Sequence, residues 1–95
     1  MTTTTQKVPC SITATTRWLV LVDGKEVGLI EKRSSTKGSL NPFKAYKGIG
    51  FDCTYVGSFF DKKEALKWGY DPNRCSDAAE MTFGGLDAAL ALVVS

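Results

Sequence analysis

Five cations stand between Lys32 and Phe51 with no anion among them: Lys32, Arg33, Lys37, Lys44 and Lys47. Phe43 and Tyr46 are interleaved with them. Cations along a flexible segment can neutralise phosphates, and rings between them can stack on bases. The same cations could instead balance the acidic half of the molecule. Residues 1–51 carry eight basic and three acidic side chains, and residues 52–95 carry four basic and seven acidic. The net charge of +2 is a weak bias for a dedicated nucleic-acid binder.

Asp61 and Glu64 are the carboxylates whose spacing could suggest acid–base work. Their sequence, "FFDKKEALKWG", gives them a structural reading instead. Asp61 suits a helix N-cap, and Glu64 three positions on completes a capping-box pattern. Both charges also favour the positive end of the helix. The chain has no histidine, which excludes Ser-His-Asp and Cys-His catalysis within it. Cys10, Cys53 and Cys75 are odd in number and widely spaced. They suggest neither a disulfide framework nor a zinc site. "GIG" at 48–50 lacks the third glycine and the helix of a dinucleotide fingerprint, and "GG" at 84–85 lacks the Lys-Ser/Thr of a phosphate loop. No cofactor or metal is expected, and the chain does not read as an enzyme.

These residues must be positioned by a single small domain, since 95 residues leave no room for two independent cores. A hydrophobic fraction of 43% argues for a globular fold. No apolar run is long enough to span a membrane, and "MTTTTQKVPC" has no leader-like apolar core, so a cytoplasmic location is expected. Residues 1–11 read as a flexible lead-in. "ITATTRWLVLV" and "KEVGLIEKR" flank Asp23-Gly24, a strong hairpin signal because a type I′ turn needs positive φ at both central residues. That turn predicts Val20 opposite Val27 and Trp18 opposite Leu29 on the core face. Arg17, Leu19, Leu21, Glu26, Gly28 and Ile30 then form a mixed outer face.

Residues 33–42 read as a mobile loop. A third strand is expected from Phe43, and a fourth over "CTYVGSFF" with Tyr55, Gly57 and Phe59 on one face. A helix follows, docking Ala65, Leu66, Gly69 and Tyr70 on the sheet, with Lys63 and Lys67 pointing away and Pro72 ending it. From about Gly85 a second helix would align Leu86, Leu90, Val93 and Val94, leaving Leu92 outside, although "LALVV" also suits a strand. The matches of Phe59, Ala65 and Leu66 to Phe83, Ala89 and Leu90 suggest two similar strand-to-helix joints. The expected class is α+β: a four-stranded, mainly antiparallel sheet packed by one or two short helices.

"YKGIG" followed by "YVGSFFDKKEALKWGYD" resembles AP2-type DNA-binding domains. The matching residues are Tyr46, Lys47, Gly48, Gly57, Phe59, Glu64, Ala65 and Tyr70. In that family another strand, which carries the Arg and Trp readers, lies between the two halves. Here nine residues separate Tyr46 from Val56, so the hairpin at 17–33 would have to take its place. The resemblance implies DNA binding. In style the chain also resembles small accessory proteins of phages and mobile elements, such as anti-CRISPR and other host-inhibitor proteins, which implies a phage-encoded inhibitor of a host defence or regulatory complex.

The leading functional expectation is a non-enzymatic protein that acts by protein–protein contact. Leu19, Leu21 and Ile30 on the outer face and Leu90 on the nearly uncharged last helix are its candidate contacts, with a homodimer possible through that helix. Trp18, Phe43, Tyr46 and Trp68 are candidate anchors. The alternative is a nucleic-acid-binding module that uses residues 32–47.

Overall fold

The computed structural model describes residues 2–71 and 81–95. The expectations for Pro72 and Cys75 lie outside them. The fold is α+β. Five antiparallel strands run in sequence order: β1 (Thr3–Val8), β2 (Thr15–Val22), β3 (Lys25–Arg33), β4 (Phe43–Lys47) and β5 (Thr54–Phe59). Among the described residues a short 3-10 turn (Gly50–Asp52) joins β4 to β5, and two α-helices follow, α1 (Lys62–Lys67) and α2 (Gly85–Val94).

The sheet has one strand more than expected, because Thr3–Val8 is paired along β2. β-branched threonines suit an edge strand, and the turn ties this one down. Thr2 donates to the Asp23 carboxylate at 2.8 Å, and the Asp23 amide donates back to the Thr2 carbonyl at 2.8 Å. The Asp-Gly turn forms as expected, with φ of 52° at Asp23 and 82° at Gly24. The 33–42 loop is closed on itself. Thr36 and Ser39 exchange backbone hydrogen bonds, and Asn41 binds Ser35 Oγ and the Ser34 carbonyl.

Two bulges overturn the expected faces. In β3 the pairing passes from Leu21↔Glu26 to Val20↔Gly28, so Val27 is the extra residue. Trp18 therefore faces Ile30, and Leu19 faces Leu29. Ile30 and Gly28 belong to the buried side, whereas Leu29 moves to the open one. Trp18 and Val27 still pack against the core. In β5 the pairing passes from Ala45↔Gly57 to Tyr46↔Tyr55 across Val56. Tyr55 thus leaves the face of Gly57 and Phe59. A bulge puts two residues opposite one and re-aims every side chain beyond it.

α2 lies across β3, β4 and β5 and closes the core of Val20, Ile30, Phe43, Ala45, Ala89 and Val93. It is a helix, not a strand. Small residues let it approach closely. A side chain on Gly28 would collide with Val93 and the Tyr46 carbonyl, and one on Gly57 would come within 2.7 Å of Leu92. Leu92, expected outside the stripe, thus belongs to the interface. Leu90 is partly buried and also packs against the core.

α1 takes a different place from the one expected. It packs little on the strands and buries Ala65 alone, and Leu66 is 48% exposed. Asp61 caps it by accepting from the Lys63 amide at 3.0 Å. Glu64 does not complete a capping box; its carboxylate pairs with Lys32 at 2.8 Å. The two strand-to-helix joints lie side by side. Phe60 and Phe83 form a parallel bridge with ring centroids 6.4 Å apart, and Phe60 accepts from the amides of both Gly84 and Gly85.

Candidate interaction face

The pairing registers place the side chains in cross-strand rows. One row runs Gln6, Leu19, Leu29, Tyr46, Tyr55 across all five strands. The next runs Val8, Arg17, Glu31, Lys44, Ser58. Both rows lie on the side opposite Val20, Ile30 and Ala45, and among the described residues neither α-helix packs over that side, although the 3-10 turn Gly50–Asp52 borders it beside Tyr46. At about 4.8 Å per strand each row is roughly 19 Å long.

The first row is apolar through its centre. Leu19 and Leu29 are half-buried by their neighbours, and Tyr46 packs edge-on to Tyr55 at 5.8 Å between centroids. Tyr55 is 53% exposed, and Ile49 beside the following turn is 61% exposed. Leu21 extends the apolar area toward the turn, opposite Thr4 on one side and Glu26 on the other.

The second row alternates in charge as plus, minus, plus. Arg17 Nε donates to Glu31 Oε2 at 2.9 Å, and Lys44 stands directly across from Glu31 on the other side. The bond to Glu31 pushes the Arg17 guanidinium's pKa up and keeps it charged. Burial, followed by the nearby Glu31 carboxylate, pushes the Tyr46 phenol up and keeps it neutral. A shallow pocket between Arg17, Leu29, Glu31, Tyr46, Gly50 and Cys53 interrupts the boundary between the rows. Such a face offers an apolar centre beside a fixed charge pattern, which suits binding by contact.

The structure separates the residues that the sequence grouped. Leu19, Leu21, Lys44 and Tyr46 share this open face. Lys32, Arg33 and Phe43 line a cleft at the α1 end of the sheet. Lys32 is 11% exposed and held by Glu64, and its ammonium lies 5.5 Å from the centre of the Phe43 ring. Lys37 occupies the tip of the closed 34–42 turn, and Lys47 donates to the Ser95 carbonyl. The five cations are therefore not one stripe. Leu29 and Tyr55 were missed because their assignment depends on the two bulges; the aromatic side chain of Tyr55 was the only available signal.

Among the described residues, no group of His, Cys, Asp and Glu side chains is clustered closely enough to hold a metal ion, and no helix is long and apolar enough to cross a membrane. No protein-family model, curated protein or solved structure matches this chain.

Proposed function

We propose that the chain is a non-enzymatic binding protein that acts by protein–protein contact through the open face of its sheet. The observation that carries this reading is the helix-free row Leu19–Leu29–Tyr46–Tyr55, apolar across four strands. Tyrosines that combine apolar area with a polar tip are frequent anchors in interfaces. The partner's matching surface is apolar at its centre, with a carboxylate opposite Lys44. Its affinity comes from Leu19, Leu29, Tyr46 and Tyr55, and its register from the Arg17–Glu31–Lys44 row. Action of this kind is steric: the sheet covers a site on the partner, as a small inhibitor of a host complex would.

The test is a reconstituted complex. A partner identified by affinity capture and mass spectrometry is purified and titrated against the wild type and against Leu19→Asp/Leu29→Asp. Binding to the wild type that is lost in the double variant, while circular dichroism stays unchanged, supports the proposal. Equal binding by both proteins refutes it. Light scattering of the isolated chain tests whether the partner is a second copy, and a dimeric mass that falls to monomer in the double variant would identify it as one.

A further inference from the structure

A second surface, separate from the open face, lies where α1 stands off from the sheet. A cleft of about 500 Å³ opens there, lined by Thr16, Trp18, Lys32, Arg33, Ser34, Ser35, Phe43, Lys63, Glu64, Lys67 and Trp68. Four of these side chains are cationic and one is anionic. Glu64 is already paired with Lys32, so Lys63 and Lys67 border the opening with no further carboxylate in the lining, whereas Arg33 alternates with Lys32 along β3 and also borders Glu31 and Lys44 on the open side. Lys63 and Lys67 were expected to point away from the sheet into water. Both are exposed and border the cleft.

The other half of the wall is aromatic. Trp18 and Phe43 are tilted against each other at 5.6 Å, and Trp68 stands at the C-terminal end of α1 with the Lys67 ammonium 5.3 Å from its ring centre. A cleft of this volume lies in the range of small-ligand sites, roughly 300–1,000 Å³. Its ligand should carry negative charge for the two lysines and a flat ring for the indoles. A polyanionic peptide satisfies the first requirement but not the second. A paired duplex hides its ring faces, whereas a single strand offers both features on one repeating unit.

We propose that this cleft binds single-stranded nucleic acid, with a base against Trp68 and the adjoining phosphates on Lys63 and Lys67. Lys32 acts as a positioning residue, since its pairing with Glu64 holds α1 to β3 across the cleft. The surface lies at the α1 end of the helix side of the sheet, so it can be occupied together with the open face or without it.

The experiment is fluorescence anisotropy of labelled oligothymidine and oligouridine with the full chain. Wild type, Lys67→Glu, Trp68→Ala and the distant turn variant Lys25→Glu are compared, each checked by circular dichroism. The proposal expects binding at low salt that weakens as salt rises, with a log–log slope near −1.4 for about two phosphate contacts. Lys67→Glu and Trp68→Ala should each weaken binding about tenfold, and Lys25→Glu should leave it unchanged. Oligoglutamate should compete poorly. The proposal is overturned by absence of binding to either oligonucleotide, by an equal loss in Lys25→Glu and Lys67→Glu, or by oligoglutamate that competes as well as the oligonucleotides. Should either helix variant unfold, quenching of wild-type tryptophan emission by the oligonucleotide gives an independent readout, and its absence counts against the proposal.

Discussion

The covered and open faces of the sheet are made from the same five strands, and they use side-chain size in opposite ways. On the covered face, residues become small where α2 crosses: Gly28 and Gly57 meet Val93 and Leu92, and Ala45 and Ala89 are fully buried between the layers. On the open face the neighbouring positions are Leu19, Leu29, Tyr46 and Tyr55, with no helix over them among the described residues. Small residues therefore mark where the chain packs on itself. Large apolar ones on the other side are a surface that the described part of the fold does not use.

Changes on the two faces should separate cleanly. The largest stability loss is expected for Ile30→Ala, which empties a fully buried position and should cost about 4 kcal/mol in denaturant unfolding. Gly28→Val forces a side chain into Val93 and the Tyr46 backbone and should cost about 3 kcal/mol. A wild-type unfolding midpoint in either variant would mean that α2 does not lie where the structure places it. Asp61→Ala removes the α1 cap and should cost about 1 kcal/mol. It leaves the core untouched, so near-ultraviolet dichroism should change little.

The smallest effect is one of pH. Burial raises the Tyr46 pKa, so the folded state holds that proton more tightly than the unfolded chain does. The resulting stability is fully present below the ordinary tyrosine value of about 10 and is lost as pH rises through the raised value. Unfolding curves across that range should show the loss in the wild type and a smaller loss in Tyr46→Phe. An identical pH profile in the two proteins would place Tyr46 in water and weaken the picture of a packed open row.

The sequence made some parts of this architecture readable and hid others for physical reasons. Asp23-Gly24 tolerates the positive φ of a type I′ turn, and between two apolar runs that tolerance is a strong hairpin signal. Asp61 before "KKEALK" is a cap in almost any context. Val27 and Val56 were opaque as bulges, because a bulge leaves composition untouched while it moves Leu29, Ile30 and Tyr55 to new faces. The polar threonines of β1 looked like a tail because nothing in their own pattern reveals the strand beside them. The charged pattern also misled. Lys32 to Lys47 are close in sequence, but the β3–β4 hairpin alternates them between faces. Lys63 and Lys67, distant in sequence, join Lys32 in one cleft.

The central claim is that the open face binds and the covered face folds. It is tested most directly by parallel affinity capture from cell extract with wild-type and Leu19→Asp/Leu29→Asp baits, each verified as folded and matched in thermal midpoint. The account predicts at least one protein that is enriched on the wild type, absent from the double variant, and able to form a binary complex when purified. The same protein retained by both baits in equal yield would contradict it.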